Sequence, residues 1–326
     1  MKIAAIQIEN CLGDTIRGFY EAEARIRLAH QEGCQMAFLP ELSSCGYIPN
    51  ENVWLHAEPL YGPTTKWLSG LSYELGMYIG AGFCECDGID LYNSYIIANP
   101  DGQIDGIVRK MTPESYCFRP GSYAPVIQTK IGTIGIGICS DSHYQWYLKR
   151  LQKIQPDLIV LPHAWAIPQG LGLHVSNKDL IRIEKDMTNL PRLYAACIGV
   201  PVIFVNQVGK MPQMQGLMGH FMKSDTFILG GHSQIVGVYN DNQEPIVEGI
   251  EVASVIRDVE MGVAKPTVSH YKTYGGWLHP GNFLIRHLLL PIEIQRGERF
   301  YKKSKKRKQI VSMLKKIMDA SISKKV

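Results

Sequence analysis

Hydrophobic and polar residues alternate along this chain with two different periodicities. Short runs rich in β-branched residues predict buried strands, whereas longer segments with apolar residues every three or four positions predict helices. Glycines at Gly33 and Gly76 follow two of the helical segments and are typical helix ends. Predicted strands and predicted helices alternate along the sequence, which predicts an α/β fold. The predicted strands are residues 2–8, 35–40, 77–83, 91–98, 103–109, 125–129, 133–138, 157–161, 202–205, 233–239 and 251–259, and the predicted helices are residues 14–32, 63–75, 142–154 and 177–198.

Three of these strands follow one another without a helix between them. They cover residues 77–83, 91–98 and 103–109, and Pro100-Asp101-Gly102 between the last two has the composition of a tight turn. Strands joined by short turns pair antiparallel, whereas strands joined through helices pair parallel. The sheets are therefore expected to be mixed.

The composition is that of an ordinary globular protein. The chain has 326 residues, of which 45% are hydrophobic, and this length can bury a large core without disulfides or a structural metal. The amino-terminal segment lacks the pattern of a secretory signal. Eight cysteines without the paired spacing of a metal or redox site predict reduced thiols and a cytoplasmic protein; they stand at positions 11, 34, 45, 84, 86, 117, 139 and 197.

Charge is distributed unevenly between the body of the chain and its end. Residues 298–326 hold eleven lysines and arginines against two acidic residues, a net charge of +9, so the rest of the chain carries −5. We therefore divide the chain into a main domain, residues 1–297, and a basic amphipathic carboxyl-terminal tail, residues 298–326. The tail has an apolar stripe at helical spacing, formed by Ile310, Val311, Leu314, Ile317 and Met318.

Several partners for this tail remain open. It could dock on its own acidic body or on a partner subunit, contact an anionic membrane surface, or bind nucleic acid without sequence specificity. A solvated terminal helix is the plainer alternative, since runs of charge are usually solvated. A mildly acidic body with a basic tail argues against a nucleic-acid-binding core.

Three predicted strands lead into reactive side chains: Glu41, Lys110 and Cys139. In open α/β sheets, ligands bind beyond the carboxyl ends of the strands. A carboxylate, an amine and a thiol at such an edge form a plausible catalytic set. Taken singly, each has an ordinary explanation, because a lone cysteine at a strand end is usually an inert apolar residue and the two charged residues usually lie on the surface.

The chemistry of this set is acyl transfer without a metal or cofactor. A predicted helix beginning just after Cys139 would lower the pKa of its thiol, and the backbone amide of Ser140 could hold an oxyanion. Glu41 would accept the thiol proton and later activate water, and Lys110 would stabilise negative charge on a tetrahedral intermediate.

The motifs around these residues, taken in their order along the chain, resemble the nitrilase superfamily of carbon-nitrogen hydrolases. This resemblance implies a four-layer αββα sandwich that forms a homodimer or a larger homo-oligomer. It also implies that Cys139 is the nucleophile, Glu41 the base and Lys110 the oxyanion stabiliser, and that Glu114 orients Lys110 or the substrate, unless Glu114 is only a solvated loop carboxylate. The motifs are Phe38-Leu39-Pro40-Glu41, Gly46-Tyr47, Arg109-Lys110, Phe118-Arg119-Pro120-Gly121, Gly137-Ile138-Cys139-Ser140-Asp141, Val205-Asn206-Gln207-Val208-Gly209 and Gly230-Gly231-His232-Ser233.

Departures from the family pattern bear on the substrate. Ser140-Asp141 looks like the amidase and carbamoylase branches, which favours amide or ureido cleavage over nitrile cleavage. Ser142 and His143 stand where an arginine often clamps a substrate carboxylate, so an amino-acid-like substrate loses support. His163 and Trp165 are candidate pocket walls, although His163 could equally be a hydrogen-bonded core residue.

The sequence thus predicts a cofactor-free thiol hydrolase that releases ammonia from a small amide or N-carbamoyl compound through a thioester on Cys139. Nitrile hydrolysis and acyl transfer on the same three residues remain alternatives. A non-catalytic scaffold that binds an anionic partner through its basic tail is a further alternative, from a different class of function.

Overall fold

The fold was analysed in a computed structural model. It describes residues 1–122, 124–169, 176–220, 222–223, 226–237, 251–262, 264–282 and 284–323, with side chains up to residue 317. The end of the predicted strand 233–239 and the side chain of Met318 lie outside the described residues. The strands are β1 Lys2–Gln7, β2 Met36–Phe38, β3 Tyr78–Asp87, β4 Asp90–Ala98, β5 Ile104–Arg109, β6 Val126–Thr129, β7 Gly132–Ile136, β8 Leu158–Pro162, β9 Ala166–Pro168, β10 Val202–Val205, β11 Val208–Lys210, β12 Phe227–Gly230, β13 Gln234–Val236 and β14 Ala253–Asp258.

Helices connect and flank these strands. The α-helices are α1 Thr15–Gln31, α2 Pro63–Leu75, α3 Gln145–Ile154, α4 Asn177–Ile198, α5 Leu290–Lys303 and α6 Lys305–Ser323. Short 3-10 turns cover Glu51–His56, Cys139–His143 and Met218–His220, and a π-helical turn, Ile285–Leu289, leads into α5. No helix among the described residues is long and apolar enough to cross a membrane.

Two mixed sheets form the centre of the protein. The first has the strand order β14-β1-β2-β3-β4-β5, in which β1, β2 and β3 pair parallel and the other neighbours pair antiparallel. The second has the order β13-β10-β8-β7-β6, with β10, β8 and β7 parallel. A small third sheet joins β11, β12 and β9. The predicted mixed pairing is confirmed: a short turn at residues 88–89 joins β3 to β4, and the turn after residue 99 joins β4 to β5.

Side chains from both large sheets meet in a common apolar layer. Phe38 and Ile97 of the first sheet belong to the same buried cluster as Ile136 and Val160 of the second. Helices α1 and α2 cover the outer face of the first sheet, and α3 and α4 cover the outer face of the second. The central strands β2, β8 and β10 therefore bury both faces, which explains their nearly continuous apolar runs in the sequence. The expected four-layer αββα sandwich is confirmed.

The predicted helix 142–154 differs from the structure at its start. Residues 139–143 form a 3-10 turn, Tyr144 is extended, and α3 begins only at Gln145. The cause is tertiary, because Tyr144 pairs with Trp277 and the amide of Gln145 donates to the carbonyl of Gly276. These contacts from distant residues stop the helix from reaching back to Cys139.

The basic tail packs on the protein's own surface. Helix α5 runs through residue 297, and a break at Ser304 separates it from α6. Arg307 is 7% exposed and donates to the carbonyl oxygens of Tyr301 and Ile89. Ile310 and Val311 are buried in a cluster with the 3-10 turn Glu51–His56. The structure thus shows that the face of the tail with Arg307, Ile310 and Val311 docks on the body of the protein. The domain boundary at residue 297 stays a prediction.

Candidate active site

Two of the three reactive residues follow strands that point to the same edge of the first sheet, and the third follows β7 of the second. Glu41 lies three residues beyond β2, Lys110 directly follows β5, and Cys139 lies three residues beyond β7. Leu42 has a φ of 47° and Cys139 a φ of 45°, the left-handed region that non-glycine residues seldom adopt. Such strain tends to occur at functional positions held in place by their surroundings.

Close packing fixes the turn that carries Glu41. A Cβ added at Gly82 would lie 2.3 Å from the amide nitrogen of Leu42, so only glycine fits on this part of β3. The side chain of Gln207 donates to the carbonyl oxygen of Glu41 from the opposite side. The carboxylate is therefore presented by a rigid backbone.

A buried ion cluster joins the predicted residues. The Nζ atom of Lys110 lies 2.6 Å from Oε1 of Glu41 and 2.8 Å from Oε1 of Glu114, and the side chains of Lys110 and Glu41 are wholly buried. Asn93 donates to Oε1 of Glu41 at 2.7 Å, and the hydroxyl of Tyr47 donates to Oε1 of Glu114 at 2.9 Å. Glu114 is thus bound to Lys110 and mostly buried. It is therefore not a solvated loop carboxylate.

Burial and the central ammonium shift the pKa values of the two carboxyl groups in opposite directions. Desolvation raises the pKa of Glu41, and it outweighs the attraction of Lys110. Desolvation is also the largest influence on the pKa of Glu114, but there the charge of Lys110 and the hydrogen bonds from Lys110, Tyr47 and the backbone together outweigh it, and the net pKa lies below the ordinary value. Burial lowers the pKa of Lys110, yet the two carboxylates hold it well above its usual range. The shifts in pKa therefore favour the anion at Glu114 and the cation at Lys110, and leave Glu41 as the group suited to exchange a proton.

Cys139 is 9% exposed, and its thiol belongs to the same electrostatic cluster. Burial, reinforced by the charge of Glu41, raises the pKa of the thiol well above its ordinary value, although Lys110 and the backbone amide of Ala164 act in the other direction. The predicted lowering of this pKa is wrong, because burial outweighs the groups that lower it, and no α-helix starts directly after Cys139: α3 begins six residues later. The resting thiol is neutral and requires a base.

Two buried oxygen atoms of the ion cluster have no hydrogen-bond partner among the described residues. They are Oε2 of Glu41 and Oε2 of Glu114. Unsatisfied buried carboxylate oxygens are costly and usually have a function. The first suits acceptance of a proton from the thiol, and the second suits acceptance of an N–H group from a bound amide.

Asp141 ties the segment after Lys110 to the segment after Cys139. Its carboxylate accepts from the amides of Met111 and Thr112 and, at 2.7 Å, from the hydroxyl of Thr112. Burial raises its pKa to about 6. Ser140 adds a second tie, since its hydroxyl donates to the carbonyl oxygen of Thr112 at 2.7 Å. In the sequence analysis, Asp141 only indicated the amidase and carbamoylase branches of the superfamily. Its role in joining the two segments was missed.

His163 and Trp165 lie behind the site rather than on its main cavity. His163 is fully buried, its Nε2 lies 3.1 Å from the hydroxyl of Ser142, and its Nδ1 lies 2.9 Å from the carbonyl oxygen of Leu161. The ring of Trp165 packs 4.2 Å from that of His143. The structure does not bring either predicted wall residue to the cavity, and His163 has the contacts of the hydrogen-bonded core alternative.

A cavity of about 310 Å³ opens beside the ion cluster. Ser140 and Glu114 line it, together with Met214 and Met218 of the loop before β12 and with side chains of α5. Its volume is that of a site for a small molecule. Residues from the predicted tail region thus reach the candidate site, because Glu298 also lines this cavity.

Comparisons with known proteins identify the family of the chain. A family model described as carbon-nitrogen hydrolase matches residues 2–239. An N-carbamoylputrescine amidase from Solanum lycopersicum is 28% identical over 260 residues, which cover 75% of this chain and 84% of the relative. A nitrilase from Pyrococcus abyssi is 31% identical over 175 residues, which cover 52% of this chain and 66% of the relative. The crystal structure of a carbon-nitrogen hydrolase from Helicobacter pylori has a TM-score of 0.66 at 17% identity and covers 94% of this chain and 95% of its own. Since the family model spans most of the sequence and the fold agrees, the chain belongs to the carbon-nitrogen hydrolase family of the nitrilase superfamily and is a hydrolase of non-peptide C–N bonds.

Proposed function

We propose that this hydrolase cleaves a small amide or N-carbamoyl compound by attack of Cys139 and releases ammonia. The observation that carries the proposal is the position of Lys110, a wholly buried ammonium 2.6 Å from Glu41 and 2.8 Å from Glu114. Such a cation, fixed beside a nucleophile, stabilises a developing oxyanion without reorganising.

In the first half-reaction, Oε2 of Glu41 accepts the proton of the Cys139 thiol while the sulfur attacks the substrate carbonyl carbon. The carbonyl oxygen becomes an oxyanion held by Lys110 and by the backbone amide of Ser140. Glu41 then returns the proton to the leaving nitrogen. The C–N bond breaks, ammonia departs and the acyl group remains on sulfur as a thioester.

In the second half-reaction, Glu41 accepts a proton from a water molecule that attacks the thioester carbonyl carbon. The C–S bond breaks, the sulfur recovers the proton, and the acid product leaves. Glu114, kept anionic by Lys110, accepts an N–H of the amide or ureido group and so orients the substrate.

Support for amide or ureido substrates over nitriles comes from the residues after the nucleophile. Ser140-Asp141 follows the pattern of the amidase and carbamoylase branches, and the Solanum relative is named for an N-carbamoyl substrate. Nitrile hydrolysis and transfer of the acyl group to an amine remain the competing reactions, and the nitrilase relative favours the former.

The test is intact-mass detection of the acyl-enzyme. Acid quenching of the unaltered enzyme during turnover of a panel of small amides and ureas should trap an adduct of acyl mass that maps to Cys139. The Cys139→Ala variant should give neither adduct nor ammonia. The Cys197→Ala variant, which removes a buried thiol from the outer helical layer, should behave as the unaltered enzyme. Ammonia release by Cys139→Ala would refute the mechanism.

The same variants separate the enzyme from a non-catalytic scaffold. A scaffold would show salt-sensitive binding to anionic lipid or nucleic acid through the tail and no acyl adduct with any amide, nitrile or ester. An enzyme forms the adduct whether or not the tail binds anything. The outer surface of the tail keeps exposed charges such as Lys308, so both properties can be measured on one preparation.

We also propose a homo-oligomer in a reducing, cytoplasmic compartment. All eight cysteines are unpaired, which suits reduced thiols. Leu284, Leu288 and Ile292 are exposed at intervals of four residues, the spacing of an apolar helical face that a second copy of the chain can bury. Sedimentation analysis of the chain and of a Leu288→Glu variant tests the assembly, since a monomer in both cases would refute it.

A further inference from the structure

One wall of the main cavity comes from residues beyond position 239, where the carbon-nitrogen hydrolase match ends. The matched segment holds the nucleophile and the whole ion cluster. The cavity is also lined by Trp277 and by side chains at the start of α5, which include Leu290 and Ile294. The family pattern therefore describes the reacting groups and leaves this wall unassigned.

The acidic side chains of the cavity already have partners on the protein. Glu114 is paired with Lys110. Glu293 forms a side-chain hydrogen bond with Tyr116, and Glu298 is half-exposed and paired within α5. No lysine or arginine is found among the described residues that line the cavity. A bound molecule is therefore not required to neutralise these carboxylates, and an organic anion finds no counter-charge on the lining.

Apolar side chains make up most of the remaining lining. They include Met111, Phe118, Met214, Trp277, Leu290 and Ile294. An apolar group that leaves water for such a surface gains binding free energy in proportion to the area it buries. The cavity is therefore suited to an uncharged, apolar group.

Trp277 is fixed in this wall by its backbone and by its ring. Its backbone pairs with that of Tyr144, and the centres of the two rings lie 4.3 Å apart. The guanidinium of Arg286 lies 4.2 Å from the centre of the indole ring, a cation–π contact. Arg286 is itself held, because it donates to the carbonyl oxygens of His279 at 2.6 Å and Pro280 at 3.2 Å. Arg286 is not among the described residues that line the cavity, so it acts on a ligand through Trp277.

We propose that the substrate carries an apolar group attached to its scissile carbonyl and that this group packs on the indole ring of Trp277. Arg286 is the positioning residue for that ring. The inference rests on the proposed function, which places the scissile carbonyl beside Lys110 and Ser140. Ser140 and Trp277 line the same cavity, and its volume of about 310 Å³ leaves room for an apolar group of several carbon atoms.

The experiment measures reversible binding of aldehydes to Cys139 and needs no amide turnover. The sulfur adds to the aldehyde carbon and the thiol proton moves to the oxygen, so the alkyl chain of this hemithioacetal lies where the substrate's apolar group would lie. Propanal and hexanal are compared by the concentration of each that halves the rate at which iodoacetamide alkylates Cys139. In that reaction the sulfur displaces iodide, and mass spectrometry with peptide mapping follows the label.

Matched variants locate the contact. Trp277→Ala removes the proposed wall, and its control Trp67→Ala removes a half-buried indole on α2. Arg286→Met removes the cation from the ring, whereas Arg286→Lys keeps a cation there. Arg299→Met removes the same charge from an exposed position on α5. Both aldehydes are tested on one preparation, so a partly unfolded variant does not change the ratio of the two concentrations.

We expect hexanal to protect Cys139 at roughly a tenth of the propanal concentration or less, because each methylene group that leaves water strengthens binding about fourfold. This preference should fall at least about threefold in Trp277→Ala and Arg286→Met, which lose the packed ring. It should recover in Arg286→Lys and stay unchanged in the Trp67 and Arg299 variants. Equal protection by both aldehydes, or a preference for hexanal that survives Trp277→Ala, would overturn the apolar subsite.

Other outcomes bear on the separate parts of the argument. A preference that is lost in Trp277→Ala but kept in Arg286→Met would overturn the positioning role of Arg286. The proposed function fails separately, if the aldehydes protect Cys139 but no amide or urea acylates it. A thiol that iodoacetamide does not label would overturn both proposals, because the cavity would then not lead to the sulfur.

Discussion

The ammonium of Lys110 and the carboxylate of Glu41 lie 2.6 Å apart, and neither side chain is exposed. Two buried carboxylates share this one cation, since Glu114 accepts from it at 2.8 Å. Removing one partner from such a group leaves uncompensated charge in the interior, which costs more than the pair itself contributes. The cluster is therefore a sensitive point for folding as well as for the reaction.

From this relationship we expect Lys110→Met to lower the free energy of unfolding by about 3–5 kcal/mol, because two carboxyl groups lose their counter-ion. Turnover should fall at least roughly a hundredfold through loss of oxyanion stabilisation. Urea denaturation and an ammonia assay measure the two effects. Lys130→Met, which breaks the exposed pair with Asp101, should change stability very little. Equal stability of the two variants would contradict the buried-charge argument.

The strained backbone at Cys139 makes a second prediction. At a φ of 45° a side chain is disfavoured and glycine is not, so Cys139→Gly should be about 1 kcal/mol more stable than Cys139→Ala, while both are inactive. The same two substitutions at Cys197, inside α4, should rank in the opposite order because glycine weakens helices. Thermal unfolding of the four variants gives the comparison. Alanine as the more stable residue at both positions would show that Cys139 is unstrained.

The pH dependence should follow Glu41 rather than the thiol. A general base works only when ionised, and burial raises the pKa of Glu41, so the acid limb of kcat/KM should lie above the pH at which an ordinary glutamate titrates. Asn93 favours the ionised form by its hydrogen bond, so Asn93→Ala should move this limb to higher pH. Ser94→Ala, which alters the neighbouring hydroxyl bonded to Glu85, should leave the limb in place. An acid limb that stays where it is in Asn93→Ala would exclude Glu41 as the titrating base.

Local sequence signals were enough for the strands, the helices and three of the residues that meet at the site, whereas the four-layer arrangement and Glu114 came from the resemblance to the nitrilase superfamily. Strand ends identified Glu41, Lys110 and Cys139, because apolar runs that stop at a reactive residue are visible without any long-range information. The burial of the site residues could not be predicted from such local signals. The raised pKa of Cys139 depends on burial and on Glu41, which is far away in sequence, and the interior position of His163 depends on tertiary packing. Trp277 acts over a similar sequence distance, since it pairs with Tyr144 just before α3 begins.

Polar support of the site was missed for a related reason. Asn93 lies within an apolar strand, and a polar residue in such a run was a usable signal for a buried hydrogen bond. Gln207 and Asp141 gave no comparable signal, since both stand in loops where polar residues are common. Only their contacts with Glu41 and Thr112 in the folded chain define what they do.

The docking of the basic tail can be tested at one residue. Arg307 donates to the carbonyl oxygens of Tyr301 and Ile89, lies 3.5 Å from Asp90, and packs 4.3 Å from the ring centre of Tyr301. Because these bonds are largely buried, Arg307→Ala should lower the free energy of unfolding by about 2–3 kcal/mol. Lys308→Ala removes the same charge from an exposed neighbouring position and should have little effect on stability.

The activity of the same two variants tests whether docking of the tail affects substrate binding at the candidate site. Helix α5 carries Glu293 and Glu298 at the cavity and continues into the tail, so release of Arg307 should raise KM more than it lowers kcat. The chemistry at Cys139 should persist, because none of its described partners belongs to the tail. Equal stability of Arg307→Ala and Lys308→Ala would mean that the tail is held by its apolar stripe alone. Complete loss of turnover in a folded Arg307→Ala protein would instead make the tail part of the catalytic machinery.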